Sequence, residues 1–403
     1  MQTEKNKYLR KELELKALLE ITQAINENQP ESVLLNIFKF TCLVHLNIKS
    51  MILYVAKNGA FENKISHGVK GNIPSLIPEG QVLDEKSTGE LKLKLGSEYS
   101  FNELETYLPV YHKKQMLAIL FLRRKDPSFD LDLDFTEAIT NILVVALENK
   151  RFARKQLEQE VLNREVAIAS QVQQMLFPSN LPKTKALKAK VTYFPHSLVG
   201  GDYYDLIQKT SDEVYFCIAD VSGKGISAAL LMSNFQAALR TLLRSDADLE
   251  TVVNQLNFTL FENTKGERFI TFFLGYYNRK TKTLKYINAG HNPPLLCWEN
   301  DRRSETLDAG TTILGAFESL PFLEIGQRED LAQFTIHLYT DGLTEAMNKD
   351  EVEYGEERFE DFVNAHICVD PNDFHRDFMK EMKLFSDGIP LKDDLTLLSL
   401  RFN

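Results

Sequence analysis

The chain has 403 residues, of which 43% are hydrophobic and 26% are charged, and its formal net charge is −10. This length is enough for two or three domains, and the composition is that of a folded protein with full apolar cores. The negative charge argues against non-specific binding of nucleic acid or of an anionic membrane surface, because both need clustered cations.

Cysteine usage and the longest apolar runs indicate where the protein works. The four cysteines are widely spaced and include no C-x-x-C pair, which argues against a disulfide framework or a zinc site and favours a reducing compartment. The first residues, MQTEKNKYLRKELELK, lack the apolar core of a signal peptide, and runs such as ILVVAL (142–147) are too short to span a membrane. We therefore expect a soluble, cytoplasmic protein that binds neither membranes nor nucleic acid.

The N-terminal third of the chain shows the pattern of a small α+β domain. Apolar residues at helical spacing predict one helix over 8–26 and a second over 31–46. Two strands joined by the turn Asn58-Gly59 follow, and residues 103–125 contain two more strands around a charged turn. This order resembles that of a GAF-type sensory domain. A PAS-like module, or a packing and dimerisation module without a ligand, would fit the same pattern.

A long helical pattern begins near Asp132 and connects the two halves of the chain. From Leu143 to Met175 it contains neither proline nor glycine, and Pro178 and Pro182 lie just beyond its end. An interrupted heptad seam follows this helix. The seam consists of Leu143, Leu147, Leu157, Val161, Ile168 and Met175, with Lys150, Arg154 and Arg164 as interruptions. We interpret it as a coiled-coil connector of a homodimer whose pairing shifts between states. The alternative is a solvated linker helix.

Beyond Pro182 the pattern changes to strands with helices between them. The strand-like runs cover 189–196, 213–220, 269–278, 283–290, 294–300, 334–340 and 395–402, and the helical patterns cover 225–243, 247–263, 356–366 and 371–385. The runs at 213–220 and 269–278 are apolar on both faces, as in strands that are covered on both sides. The short turn NRKTKT (278–283) indicates antiparallel pairing. We therefore predict two layers of sheet with helices outside.

Four motifs in this half place aspartates at the ends of predicted strands. They are VGGDYYD (199–205) with Asp202, IADVSGKG (218–225) with Asp220, LYTDGLTE (338–345) with Asp341, and LKDDLTLL (391–398) with Asp393 and Asp394. Unpaired charge is not tolerated inside a buried strand, so carboxylates belong at its ends. If these ends meet at one edge, cations are needed between the carboxylates, and oxygen ligands favour Mg²⁺ or Mn²⁺. Taken singly, each motif is also an ordinary turn.

The order and spacing of eight motifs resemble those of the bacterial SpoIIE-like branch of the PPM family of metal-dependent serine/threonine phosphatases. The motifs are SQVQQMLFPSNLP (170–182), GGDYYD (200–205), ADVSGKGISAALLM (219–232), TFFLGYY (271–277), NAGHNPPLL (288–296), YTDGLTEAMN (339–348), YGEERF (354–359) and DDLTLL (393–398). The resemblance covers residues 165–403. It implies an α-β-β-α sandwich of two antiparallel sheets flanked by helices, with two Mn²⁺ or Mg²⁺ ions at one edge.

The resemblance also implies a role for individual residues in metal binding. Asp220 would bridge the two ions, and the carbonyl of Val221 would complete one of the two sites. Asp202 would hold or orient the water shell of the first ion, while Asp341 and Asp393 would bind the second. A hydroxide bound by the ions would then attack a phosphoserine or phosphothreonine.

Four further motif residues complete the set of candidate site residues. Asp394 is the less favoured ligand of its pair. Lys224, Asn288 and His291 are the residues that we expect to contact substrate, and a structural role in their own loops is the alternative for each of them. No equivalent of the phosphate-binding arginine of eukaryotic members is apparent.

We therefore predict a GAF-like sensory and dimerisation domain over 1–147, a helical linker over 148–177 and a phosphatase domain over 178–403. The resemblance implies that the substrate is a phosphorylated STAS-domain anti-sigma-factor antagonist in a partner-switching pathway. An unknown ligand or protein at the N-terminal domain would regulate activity by moving the Asp220 loop. A non-catalytic scaffold of the same fold and a metal hydrolase of small phosphoesters are the alternatives.

Overall fold

The computed structural model describes residues 2–85, 90–93, 104, 106–112, 115–126, 131–182, 184–245, 247–298 and 303–403. The chain divides into two compact units, residues 1–160 and 161–403. Each unit has its own apolar core. The core clusters of the first unit lie within residues 17–147, and those of the second lie within residues 176–402.

The first unit contains a five-stranded antiparallel sheet with helices on one face and a separate two-stranded sheet among its described residues. Its helices are α1 (Gln2–Asn26), α2 (Glu31–Phe40) and the first part of α3 (Leu133–Gln174), and its strands are β1 (Ile48–Lys57), β2 (Ala60–His67), β3 (Leu76–Pro78), β4 (Val82–Glu85), β5 (Glu90–Leu93), β6 (Thr106–His112) and β7 (Gln115–Arg124). Five strands pair in the order β3-β2-β1-β7-β6, and β4 pairs with β5 separately. Positive φ angles at Asn58 and Gly59 confirm the predicted turn. The charged turn Lys113-Lys114 lies outside the described residues.

The long helix α3 has the length and position that the sequence predicts. Asp132 precedes it, and its side chain accepts a hydrogen bond of 3.0 Å from the backbone N–H of Phe135. The helix ends at Gln174, four residues before Pro178. Leu143 and Leu147 of the heptad seam are buried in the first unit, whereas the remaining apolar residues of the seam, Leu157, Val161, Ile168 and Met175, are exposed. A coiled coil remains a prediction.

The second unit contains two sheets and five helices among its described residues. Its strands are β8 (Leu187–Phe194), β9 (Tyr203–Gln208), β10 (Glu213–Val221), β11 (Ile270–Asn278), β12 (Thr283–Ala289), β13 (Leu295–Trp298), β14 (Arg303–Thr306), β15 (Gly310–Thr311), β16 (Gly326–Arg328), β17 (Phe334–Tyr339) and β18 (Leu395–Phe402). Its helices are α4 (Ile226–Arg244), α5 (Leu249–Thr264), α6 (Asp341–Thr344), α7 (Glu356–Ala365) and α8 (Pro371–Ser386). One sheet has the order β15-β12-β11-β10-β9, with β16 beside β12, and the other has the order β14-β13-β17-β18-β8.

Three apolar clusters show that these elements form four layers. Phe216, Phe273 and Leu400 belong to the core between the two sheets. On the outer face of the first sheet, Met232 and its neighbours on α4 and α5 pack against β10 and β11. On the outer face of the second sheet, Phe374 and its neighbours on α7 and α8 pack against β17 and β18. The predicted α-β-β-α sandwich is therefore confirmed, and β10 and β11 are apolar on both faces because both faces are covered.

The structure adds elements that the sequence did not reveal. Strand β9 contains a buried charge, Asp205, which is compensated by the guanidinium of Arg240 at 2.7 Å. The strand β15 has only two residues and pairs with β12 in parallel, an exception to the antiparallel pattern. Helix α4 is the one helix among the described residues that is long and apolar enough to cross a membrane by length and composition. Its apolar side chains form part of the core, as expected for an inner helix of a globular domain.

Candidate active site

The predicted carboxylates lie at one edge of each sheet because neighbouring antiparallel strands reverse direction. In the first sheet Ala219 pairs with Tyr203, so Asp220 at the end of β10 lies beside Asp202, which precedes β9. In the second sheet Tyr339 pairs with Leu397, which brings residues after β17 next to residues before β18. The latter positions are occupied by Asp341 and by the pair Asp393 and Asp394.

Hydroxyl groups of the second sheet hold a carboxylate of the first. Thr340 Oγ1 donates a hydrogen bond of 2.9 Å to Asp202 Oδ2. Thr396 Oγ1 donates to the same oxygen. Asp202 is almost completely buried, so these bonds replace the water that would otherwise solvate it. The two sheet edges therefore form one site.

Asp394 anchors the backbone of the glycine motif rather than facing the open part of the site. Its Oδ2 accepts a hydrogen bond of 2.7 Å from the N–H of Gly201, and its Oδ1 accepts one of 2.7 Å from the N–H of His196. Asp393 is half-exposed, and its Oδ1 accepts a bond from the N–H of Asp394. Asp393 as the metal ligand of the pair stays a prediction.

The motif glycines permit close approach between backbone and carboxylates. A Cβ atom on Gly201 would lie 2.9 Å from the carbonyl oxygen of Val221, and one on Gly200 would lie 2.3 Å from Asp394 Oδ2. A Cβ atom on Gly342 would lie 2.0 Å from the carbonyl oxygen of Asp394. Any side chain at these three positions would displace the site's own oxygens.

Burial and neighbouring negative charge raise the pKa values of three of the carboxylates. Burial, together with the charges of Asp341, Asp393 and Asp394, raises the pKa of Asp220 to about 7. Burial and the charge of Asp220 also raise the pKa of Asp202 well above its usual value. The pKa of Asp341 is raised by burial and by Asp393. These shifts show that the negative charge at this edge is poorly compensated by the protein itself.

One cationic side chain borders the carboxylates, and a second lies against the loop that follows Asp220. Lys224 Nζ lies 2.8 Å from Asp393 Oδ2 and donates to the carbonyl oxygen of Lys392. Arg268 Nη1 donates a bond of 3.1 Å to the carbonyl oxygen of Ser222, and its guanidinium occupies the space where a Cβ atom on Gly223 would lie. Lys224 was expected from its motif. Arg268 was missed because it precedes β11 outside the recognisable motifs.

Asn288 and His291 are buried behind the carboxylate edge. Each is 4% exposed. The Asn288 amide donates to the carbonyl oxygens of His291 and Leu307, and the N–H of His291 donates to Asn288 Oδ1. The His291 ring bonds to Thr271, which pairs with Asp220 across β10 and β11. Burial lowers the pKa of His291 to about 3. In the structure both residues therefore shape a loop.

Gln173 joins the last turn of α3 to the glycine motif. Its side-chain amide donates a bond of 2.7 Å to the carbonyl oxygen of Gly200 and accepts one of 3.2 Å from the N–H of the same residue. Gln173 is buried. Gln173 belongs to one of the sequence motifs, but its role is not visible in the sequence. Its partner lies 27 residues away along the chain, and motif spacing does not reveal such a contact.

Comparison with known proteins identifies the second unit. Residues 210–403 match the family described as stage II sporulation protein E (SpoIIE). The second unit therefore contains a SpoIIE-type domain. The phosphoserine phosphatase RsbU of Bacillus subtilis (strain 168) is 28% identical over 243 residues, which cover 60% of this chain and 71% of RsbU. The phosphoserine phosphatase RsbP of the same organism is 28% identical over 158 residues, 38% of each chain.

A solved structure with the same fold supports this identification. The PP2C domain of SiaA from Pseudomonas aeruginosa aligns with a TM-score of 0.54 and 20% identity, covering 61% of this chain and 99% of that domain. This similarity shows that the SpoIIE-type domain has the PP2C fold.

SpoIIE-type PP2C phosphatases are metal-dependent enzymes, and the donors at this edge suit a hard divalent ion. The carboxylates of Asp202, Asp220, Asp341 and Asp393 and the carbonyl of Val221 are all oxygen donors. Bound cations would relieve the mutual repulsion of the four carboxylates. Among the described residues, however, no three or more His, Cys, Asp or Glu side chains are already spaced to hold one ion. The carboxylates thus form a converging cluster and not a closed coordination shell.

Proposed function

We propose that the SpoIIE-type domain hydrolyses phosphoserine or phosphothreonine in a partner protein. We also propose that Asp202, Asp220, Asp341 and Asp393, with the carbonyl of Val221, hold two Mn²⁺ or Mg²⁺ ions. One observation carries this proposal: aspartates from four separate strand ends converge on one edge, where burial and the neighbouring carboxylates raise the pKa values of Asp202, Asp220 and Asp341. Because all four positions are filled, a non-catalytic scaffold is the weaker alternative.

The side chains at this edge would have different roles in binding the metal ions and the phosphate. When bound, divalent ions would supply Lewis-acid activation of water and of the phosphoryl oxygens. Asp220 lies among the other carboxylates and would contribute to both proposed ion sites. The two threonine hydroxyls hold Asp202 in one orientation. Lys224 keeps an ammonium group beside Asp393, where it would attract a phosphate dianion.

The proposed substrate follows from the relatives. RsbU and RsbP are both named phosphoserine phosphatases, and the sequence resemblance points to the same partner-switching chemistry. We therefore propose a serine-phosphorylated STAS-domain protein as the substrate and the cytoplasm as the place of action. A hydrolase of small phosphoesters would use the same site and would differ only in the substrates that it turns over efficiently.

The N-terminal unit is proposed to be a GAF-like sensory domain that regulates this site through α3. Two contacts support the proposal. Gln173 at the end of α3 binds both backbone groups of Gly200, and the adjacent Gly201 packs against the carbonyl of Val221. A displacement of the helix end would therefore move the glycine motif and with it a proposed metal ligand. The exposed heptad seam is the proposed dimer contact.

Phosphate release from serine-phosphorylated STAS-domain proteins of the same genome tests the proposed function. We expect release to depend on Mn²⁺ or Mg²⁺ and to stop when the metal is chelated. Asp220→Asn and Asp341→Asn should each lower kcat/KM at least about 100-fold, because each removes a charged metal ligand. Asp350→Asn, which changes an exposed aspartate outside the cluster, is the matched control. Unchanged turnover in both ligand variants would refute the two-metal assignment.

A further inference from the structure

An apolar groove lies beside the carboxylate edge, between α8 and the segments around Asp394. Its volume is about 650 Å³, within the range of roughly 300–1,000 Å³ that is typical of ligand sites. One wall is formed by the end of β8, including Phe194, and by Leu395. The opposite wall is formed by Met379 of α8 and by the loop that contains Ile389. We call this feature the α8 groove.

The α8 groove and the carboxylate edge share a wall. The backbone N–H of His196, which lines the groove, donates a bond of 2.7 Å to Asp394. The ring of the same histidine bonds to the carbonyl oxygen of Leu391, another lining residue, at 2.8 Å. Leu391 and Leu395 flank Asp393 and Asp394 in the sequence. Anything seated in the groove therefore lies next to the proposed catalytic site.

Large apolar side chains of the groove remain open to solvent. Phe194 is 45% exposed and Ile389 is 38% exposed. A concave, mostly apolar groove with a few polar groups at its rim is the usual form of a site that binds another molecule. A phosphoryl group has the same chemistry on every phosphoserine, so selection among phosphoproteins must come from contacts outside the phosphate.

We propose that the α8 groove binds an apolar segment of the phosphoprotein substrate that lies beside its phosphorylated residue. This inference rests on the proposed phosphatase function and adds the surface that selects the substrate. The shared wall favours the substrate as the occupant. A second copy of this chain seated in the groove would lie against the carboxylate edge and obstruct it.

Two substrates distinguish binding in the α8 groove from hydrolysis at the carboxylate edge. The full-length protein is assayed with p-nitrophenyl phosphate and with a serine-phosphorylated STAS-domain protein, and the ratio of the two kcat/KM values is compared between variants. Ile389→Glu should lower the ratio of kcat/KM for the phosphoprotein to kcat/KM for p-nitrophenyl phosphate by about tenfold or more, because it places a charge in the apolar groove. A tenfold change corresponds to ~1.4 kcal/mol of binding free energy. Phe194→Ser on the opposite wall should lower it in the same direction.

Leu384→Glu is the matched control for Ile389→Glu. Leu384 is a more exposed leucine of α8 that does not line the groove, and its variant should keep the ratio within about twofold of wild type. Unchanged ratios in both groove variants would overturn the proposal. A change in molar mass of the groove variants in solution would assign the groove to a second copy and would overturn it as well. Wild-type protein that hydrolyses neither substrate would overturn the phosphatase function itself.

Discussion

Asp202 illustrates how single residues of the site are positioned. Its carboxylate is buried, which raises its pKa, and the hydroxyls of Thr340 and Thr396 counteract this effect by donating to the charged form. Thr340 Oγ1 also accepts a bond from the N–H of Thr396. The two threonines thus fix one carboxylate oxygen and direct the rest of the group toward Asp220.

Thr396→Val tests this positioning, since valine has nearly the same shape but lacks the hydroxyl. We expect Mn²⁺ affinity, measured by calorimetry, to fall about 10–100-fold, as is typical when a residue that orients a metal ligand is lost. Thr335→Val is the control, because Thr335 is similarly buried in the same sheet and its hydroxyl has no hydrogen-bond partner among the residues that the structure describes. Equal Mn²⁺ affinity in both variants would show that the hydroxyl of Thr396 does not orient Asp202.

Individual site residues were predictable from sequence to different degrees. Asp202, Asp220, Asp341 and Asp393 stand out because a charge next to a buried strand needs an explanation. The anchoring role of Asp394 was not predictable, since it depends on backbone N–H groups almost 200 residues earlier in the chain. Such pairings are set by the packing of the two sheets, which motif spacing does not describe.

The attachment of α8 to the second sheet depends on a buried polar network. His375 of α8 bonds through its two ring nitrogens to Ser399 of β18 and to Thr192 of β8, at 2.9 and 2.7 Å. His337 of β17 also bonds to Ser399, at 2.7 Å. Burial lowers the pKa of both histidines to about 3. Both rings are therefore neutral in the folded domain.

These two histidines should make the domain sensitive to acid. In the unfolded chain a histidine has a pKa of about 6.5, so below that pH the unfolded state binds more protons than the folded state. Each buried histidine should then cost the folded state up to ~1.4 kcal/mol per pH unit between about pH 6.5 and 3. Urea unfolding at several pH values measures this loss. His375→Gln should show a shallower loss than wild type, and an equal loss would exclude His375 as a titrating group.

Helices and strands were predicted well where the periodic pattern of apolar residues is long. The ends of α4, α5, α7 and α8 and of strands β10, β11 and β18 lie within about two residues of the sequence prediction. The strands β14, β15 and β16 were missed because two to four residues cannot show a periodicity. Strand β9 was missed because its buried aspartate contradicts the apolar pattern of a buried strand.

At the scale of the whole molecule, a single helix, α3, belongs to both units, whose apolar cores are separate. Because the second unit has its own cores, we expect residues 161–403 to fold alone with a cooperative thermal transition. If the N-terminal unit regulates the site through Gln173, this shorter chain and the full chain should differ in phosphatase activity and in Mn²⁺ affinity. Equal values for both quantities would show that the regulation proposed through α3 is wrong.

The place of β18 in its sheet links the integrity of the fold to the proposed site. This strand lies between β17 and β8, and the residues just before and within it supply Asp393, Asp394 and Thr396. A copy of the protein that lacks β18 therefore loses both the strand that joins β8 to the rest of the second sheet and part of the proposed metal site. Such a truncated or proteolysed copy would be inert toward phosphoproteins, so it could not send a false signal.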